Sequence, residues 1–175
     1  MAYFYGTADD DRITPTVVGS KVTTDPPGSF PSEADDVLYG YGGRDQLDGG
    51  GGTNLLYGGS GNDTYFVHSS GDLVIEAADE GNDAVNAYFD YILPDNLETL
   101  RLYAGTTGTG NSGRNDVRYY GPGSASLFGM GGMATIPCSV YSATIIWSAA
   151  PATITSVGAM ATIPWSAARA TIPMK

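Results

Sequence analysis

Four side chains with oxygen ligands recur at intervals of nine residues: Asp36, Asp45, Asn54 and Asp63. An apolar or aromatic residue follows each of them two positions later, and glycines precede the last three. Carboxylate and backbone carbonyl oxygens are hard ligands, and together they suit Ca²⁺, which takes about six to eight oxygen ligands. The spacing therefore predicts a calcium-binding unit that is repeated along the chain.

Each nine-residue unit has two predicted parts. The last three residues predict a short strand whose central side chain points inward. The first six predict a sharp turn, in which glycine supplies backbone angles that other residues resist and lets carbonyl oxygens approach an ion. The predicted metal ligands are Asp36, Gly43, Asp45, Gly50, Gly52, Asn54, Gly59, Gly61 and Asp63.

A flexible linker is the alternative interpretation, because runs rich in glycine and aspartate are often linkers or plain turns. A linker, however, has no reason to keep an apolar residue two places after an acid or amide in four successive units. The periodicity therefore favours a folded repeat.

The pattern G-G-x-G-x-D-x-U-x resembles the calcium-binding nonapeptide of RTX (haemolysin-type) proteins. The match is strong over 40–66, fair over 31–39, and weak over 6–14 and 110–128. The resemblance implies an all-β fold, a right-handed parallel β-roll, in which two nonapeptides make one turn and loops eighteen residues apart stack.

The implied stacking pairs Asp45 with Asp63 and Asp36 with Asn54. The first pair is the better predicted site, because it has two carboxylates and glycine-rich loops. The second is weaker, because Asn54 is neutral and the loop 31–36 has no glycine. For the weak units at 6–14 and 110–128, a metal site and a metal-free rung held by packing both remain open.

The segment after the array is similar to the connector between RTX arrays, and it predicts a β-rich extension of the sheet. It contains four acidic residues that could attract another cation, although a solvated acidic turn is the favoured interpretation: Glu76, Asp79, Glu80 and Asp83. His68 is predicted to be a loop residue rather than a catalytic base. The predicted domains are a partial repeat and linker (1–30), the β-roll (31–66), the β-rich connector (67–109), degenerate repeats (110–132) and an irregular tail (133–175).

Charge and glycine are concentrated before residue 133. The whole chain has a net charge of −11 and 25 glycines, and all 19 acidic residues precede that position. This balance argues against nucleic acid and anionic membranes as partners, since both require basic residues. One cysteine excludes an internal disulfide framework. No segment predicts a membrane span or an N-terminal secretion signal.

The tail 133–175 keeps the nine-residue period but has no acidic residues and only one glycine. Ala-Thr-Ile recurs at 134, 143, 152, 161 and 170 without acidic residues. Codons for Ala-Thr-Ile-Pro, read one base earlier, can encode Gly-Asn-Asp-Thr, which is the core of the calcium loop. A frameshifted translation of further RTX repeats is therefore the favoured hypothesis, and a genuine Ala/Thr/Ile repeat is the alternative. Prolines in the tail predict that it is irregular.

The resemblance implies a secreted protein that folds on binding Ca²⁺ outside a Gram-negative cell, exported by a type I secretion apparatus through a C-terminal signal. The chain contains neither an HExxH nor a GxSxG motif, so a binding protein is predicted rather than an enzyme. The alternative is the C-terminal calcium-binding module of a larger secreted toxin or hydrolase.

Overall fold

The computed structural model describes residues 1–105, 107–122, 124–129, 142–147 and 160–162. These residues form strands and turns, with no helix among them. No described segment is therefore a helix of the length and apolarity that crossing a membrane requires. The chain divides into two compact units, Met1–Asn86 and Ala87–Lys175.

The first unit contains nine strands and most of a tenth. They are β1 (Tyr3–Tyr5), β2 (Arg12–Thr14), β3 (Val17–Val18), β4 (Thr23–Asp25), β5 (Val37–Gly43), β6 (Gln46–Asp48), β7 (Leu55–Gly61), β8 (Thr64–Val67), β9 (Leu73–Ile75) and β10 (Ala84–Ala87).

These strands form two sheets, and the chain alternates between the sheets from β5 to β10. One sheet has the order β4-β1-β5-β7-β9, and the other runs β10-β8-β6-β2-β3. The pairs of the central rungs are parallel: β1–β5, β2–β6, β5–β7, β6–β8 and β7–β9. The pairs β1–β4 and β2–β3, at the sheet edges, are antiparallel. Leu38 pairs with Leu56, eighteen residues later. Two nonapeptides therefore make one turn, which confirms the predicted all-β solenoid of the β-roll class.

The repeated apolar residue builds the core between the sheets. Leu38, Leu47, Leu56 and Tyr65 have no exposed surface, as the inward-pointing position of each short strand predicts. Burying a side chain of this size contributes about 1.5–3 kcal/mol. The same residues that mark the period therefore hold the rungs at fixed spacing, and this spacing positions the acidic side chains two residues earlier.

The described residues of the second unit form seven strands: β11 (Tyr91–Ile92), β12 (Thr99–Leu102), β13 (Thr107–Thr109), β14 (Asp116–Tyr119), β15 (Ser124–Gly129), β16 (Ser142–Trp147) and β17 (Met160–Thr162). Strand β12 pairs with β14, and β11-β13-β15-β16-β17 form one parallel sheet.

The prediction that the tail is irregular is wrong for its two described segments, 142–147 and 160–162, which are β16 and β17. Threonine, isoleucine and tryptophan favour strands, and none of the tail prolines lies within them. Ser142 pairs with Met160, so the register again spans eighteen residues. The remainder of 133–175 lies outside the described residues.

Candidate metal centre

Two columns of polar side chains run along the first unit, each joined by hydrogen bonds between successive rungs. The acidic stack consists of Asp11, Asp45, Asp63 and Asp83. In this stack the Asp11 N–H donates to Asp45 Oδ1 at 2.7 Å, and the Asp45 N–H donates to Asp63 Oδ1 at 2.8 Å. The Asp63 N–H donates to Asp83 Oδ1 at 2.7 Å. The structure thus brings Asp45 and Asp63 together.

The second carboxylate oxygen is what distinguishes the acidic stack. Asp45 is fully buried and Asp63 is 1 % exposed, yet the Oδ2 atom of each has no hydrogen-bond donor among the described residues. Burial raises the pKa of Asp45 to about 7, and the nearby Asp63 carboxylate adds to this effect. Burial also raises the pKa of Asp63. A buried oxygen in this state is normally satisfied by a proton, an ordered water or a cation.

A carbonyl oxygen converges on the same space. A Cβ at Gly40 would overlap Asp45 Oδ2 and would lie 2.6 Å from the carbonyl oxygen of Gly58. The absence of a side chain at Gly40 therefore admits both acceptors. A buried carboxylate oxygen without a donor among the described residues, together with a carbonyl oxygen that faces the same space, fits a hard cation, so the oxygen set here suits Ca²⁺.

The mixed stack consists of Asp36, Asn54 and Asp72. The Asp36 N–H donates to Asn54 Oδ1 at 2.9 Å, and Asn54 Nδ2 donates to Gly51 O at 3.0 Å and to Asp72 Oδ1 at 2.9 Å. Asp36 accepts hydrogen bonds at both carboxylate oxygens, from the N–H groups of Ala2 and Ser32. Asp36 and Asn54 are therefore brought together, but their polar atoms already have partners in the protein.

The predicted loop glycines adopt the backbone conformation that the repeat requires. All five have positive φ: Gly43 (105°), Gly50 (77°), Gly52 (79°), Gly59 (87°) and Gly61 (135°). Gly43 and Gly61 are paired across β5 and β7, and a Cβ at Gly61 would overlap the Gly43 carbonyl oxygen. Only glycine permits this approach between successive loops.

A cluster of three carboxylates lies where the array ends. One oxygen from each of Asp63, Glu76 and Asp83 lies within 4.8 Å of the others. The Tyr65 hydroxyl donates a short hydrogen bond to Glu76 Oε1. Burial raises the pKa of Glu76 to about 8, and the Tyr65 hydrogen bond opposes this shift.

The prediction of a solvated acidic turn is therefore wrong for Glu76, which is 8 % exposed, and for Asp83, which is 1 % exposed. The pairing of β7 with β9 draws Glu76 into the core, whereas Asp79 stays exposed and Glu80 half-buried. His68 lies outside the strands, as predicted, and its Nε2 is 3.2 Å from Asp48 Oδ1.

The predicted metal ligands leave out three members of these stacks: Asp11, Asp72 and Asp83. Asp11 belongs to the weak unit 6–14, and Asp83 is predicted only as part of an acidic turn. Asp72 lies eighteen residues after Asn54, so continuing the nine-residue period beyond 66 would have found it. Asp83 lies twenty residues after Asp63, and a search at intervals of eighteen residues does not find it.

In the second unit, the degenerate repeat carries an amide in place of the acid. Asn115 is 3 % exposed, and its Nδ2 donates to Leu97 O at 3.1 Å and to Asn111 Oδ1 at 2.9 Å. Asn111 Nδ2 donates to the carbonyl oxygens of Pro94 and Leu97. In this rung, the side-chain amides of Asn111 and Asn115 therefore donate hydrogen bonds to loop carbonyl oxygens, which a cation would otherwise bind.

Residues 32–65 match the family model described as the RTX calcium-binding nonapeptide repeat, in four copies. This match confirms the resemblance seen in the sequence. Neither curated proteins nor solved structures gave a match to the chain.

Proposed function

We propose that the protein binds Ca²⁺ within the acidic stack and folds when it does so. Residues 32–65 match the RTX calcium-binding nonapeptide repeat, which supports this proposal. The buried Asp45 Oδ2 is the observation that carries the proposal: it has no hydrogen-bond donor within the described part of the chain, and it faces the Gly58 carbonyl oxygen. Asp45 and Asp63 would supply carboxylate oxygens, and Gly43, Gly59 and Gly61 would supply loop carbonyls.

Electrostatic repulsion explains the coupling between binding and folding. The acidic stack superimposes four aspartates on successive rungs, and Asp45 and Asp63 are almost fully buried. When these groups are ionised, stacking them costs free energy that a divalent cation offsets. The free energy of metal binding therefore becomes free energy of folding.

The mixed stack is the weaker candidate, with Asp36 and Asn54 as side-chain ligands and Gly50 and Gly52 as carbonyl ligands. Its side chains already accept or donate hydrogen bonds within the protein. An ion there would have to displace the Asn54 amide, so we expect lower affinity than in the acidic stack.

Mutation of the acidic stack tests the calcium site. Asp45→Asn removes one charge at constant shape and should weaken Ca²⁺ binding at least tenfold in isothermal titration calorimetry of the full chain. Asp95→Asn, at an exposed position, is the matched control and should bind like the wild type. Equal affinity of the Asp45→Asn variant and the control would contradict the site.

The proposed setting is extracellular. RTX repeat proteins are typically secreted by Gram-negative bacteria, and modules outside the cell can work with Kd of about 10⁻⁴–10⁻³ M for Ca²⁺. Export would use a type I secretion apparatus. The alternative is a calcium-binding module of a larger secreted toxin or hydrolase, and an upstream coding region in the same reading frame would favour it.

We also propose that 133–175 results from a shifted reading frame. The support is the constant interval of nine residues between Ala-Thr-Ile triplets in a segment without acidic residues. The gene, read in the adjacent frame, should encode further Gly-Gly-x-Gly-Asn-Asp units. Absence of these codons would overturn the proposal.

A further inference from the structure

Glu76 occupies a position that glycine holds in the preceding rungs. Strand β7 pairs with β9 so that Tyr57 lies opposite Ile75, which places Glu76 opposite Gly58. In the same way β5 pairs with β7, and Tyr39 lies opposite Tyr57, so that Gly40 precedes Gly58 in the column. The last rung therefore adds a buried carboxylate where the others have no side chain.

The Glu76 side chain points into the space that Gly58 leaves open. A Cβ at Gly58 would overlap the Tyr65 hydroxyl and Asp63 Oδ2, and would lie 2.6 Å from Glu76 Oε1. Asp83 completes the group, since one oxygen from each carboxylate lies within 4.8 Å of the others.

A second observation points to a ligand at this cluster. Asp63 is 1 % exposed, and its Oδ2 has no hydrogen-bond donor among the described residues. Its Oδ1 accepts the Asp45 N–H, so the free oxygen is the one that faces Glu76. A polar atom this deeply buried is normally satisfied by a donor, an ordered water or an ion.

We propose that Asp63, Glu76 and Asp83 form a further divalent-cation site, which closes the array at its last rung and lies outside the nonapeptide pattern. An all-oxygen set with three carboxylates suits Ca²⁺ best, with Mg²⁺ as the smaller alternative. The Tyr65 hydroxyl orients Glu76 by donating to its Oε1. The site shares Asp63 with the proposed calcium site and rests on the proposed function to that extent.

The test counts Ca²⁺ ions bound per chain by equilibrium dialysis of the full-length protein. Glu76→Gln removes one charge at nearly constant shape and should bind one ion fewer than the wild type. Asp79→Asn removes one charge from the exposed part of the same loop and should bind as many ions as the wild type. A Glu76→Gln variant that binds the wild-type number of ions would overturn the proposal.

Thermal unfolding shows whether the Glu76→Gln variant is still folded, so that loss of an ion can be distinguished from loss of the fold. In chelator, Glu76→Gln should unfold at or above the wild-type temperature, because it removes a buried charge, and it should gain less stability from Ca²⁺. An equal loss of stability with and without Ca²⁺ would assign Glu76 a purely structural role and overturn the site.

Asp45→Asn separates this inference from the proposed function. If Asp45→Asn loses an ion and Glu76→Gln does not, the repeat site stands and the end site falls. If only Glu76→Gln loses an ion, the end site stands and the proposed repeat site falls. A wild type that binds no Ca²⁺ overturns both.

Discussion

Asp45 and Asp63 combine two features that rarely coexist in a metal-free protein. Both are almost completely buried, and each has a carboxylate oxygen without a hydrogen-bond donor among the described residues. Asn54, at the equivalent place in the other column, uses its amide to donate to Gly51 O and Asp72 Oδ1. A single change from acid to amide therefore separates a column that needs a cation from one that supplies its own donors.

This contrast predicts the effect of Asn54→Asp. The substitution removes two amide hydrogen bonds and places a carboxylate beside Asp72, so the chain in chelator should lose about 1–3 kcal/mol of stability. The new carboxylate should also strengthen Ca²⁺ binding by the mixed stack, so that the variant binds one more ion at Ca²⁺ concentrations that leave this stack empty in the wild type. Urea unfolding and ion counting measure the two effects. Asn62→Asp, at an exposed position, is the control, and equal stability of the two variants in chelator would contradict the account.

The raised pKa of Asp45 predicts a pH dependence with a definite sign. In the folded chain this group keeps its proton up to a pKa of about 7, against 3.8 for an unperturbed group. The folded state therefore binds more protons than the unfolded state between these values, and the free energy of unfolding falls as pH rises through this range.

In chelator, the chain should accordingly unfold at a higher temperature at pH 5 than at pH 8. Protons compete with the metal, so Ca²⁺ affinity should change in the opposite direction and be weaker at pH 5. The Asp45→Asn variant should show a flatter pH dependence in chelator. A metal-free unfolding temperature that rises with pH would contradict the assignment.

At the scale of the strands and loops, a glycine at the first position of the repeat leaves room for the buried aspartate side chain of the same rung. A Cβ at Gly58 would overlap Tyr65 and Asp63, whereas the nearest atom to a Cβ at Gly42 would be the Ser60 hydroxyl at 3.1 Å. Gly58→Ala should therefore destabilise the chain by about 1–3 kcal/mol in saturating Ca²⁺, which is the typical cost of inserting a methyl group into a packed core. Gly42→Ala should change stability far less, and equal shifts in urea midpoint would contradict the close packing.

Much of this arrangement could be predicted from the sequence, because one period specifies several things at once. The nine-residue interval predicted the buried positions of Leu38 and Leu56. The resemblance to RTX repeats implied their eighteen-residue register and the stacking of Asp45 on Asp63. Glu76 could not be placed in this way. The loop from Glu76 to Asp83 is two residues longer than the equivalent loop from Gly58 to Asp63, and its acidic composition indicates a solvated turn. The pairing of β9 with β7 nevertheless places Glu76 in the core.

For the molecule as a whole, the excess of acidic residues explains why the fold should depend on bound cations. The net charge is −11, and in the acidic stack aspartates are superimposed on four successive rungs. Self-repulsion of this kind destabilises a compact state unless counter-ions bind at specific places. We therefore expect the repeat array to be only partly folded and much less stable in chelator, and to gain β structure and stability when it binds Ca²⁺.

A calcium titration of the full-length chain, followed by far-ultraviolet circular dichroism, tests this expectation most directly. Sodium chloride at matched ionic strength is the control, because salt screens charge without binding specifically. The β signal should rise as Ca²⁺ reaches about 10⁻⁴–10⁻³ M, and the salt control should leave it unchanged. A spectrum that is the same in chelator and in millimolar Ca²⁺ would contradict calcium-driven folding of the array.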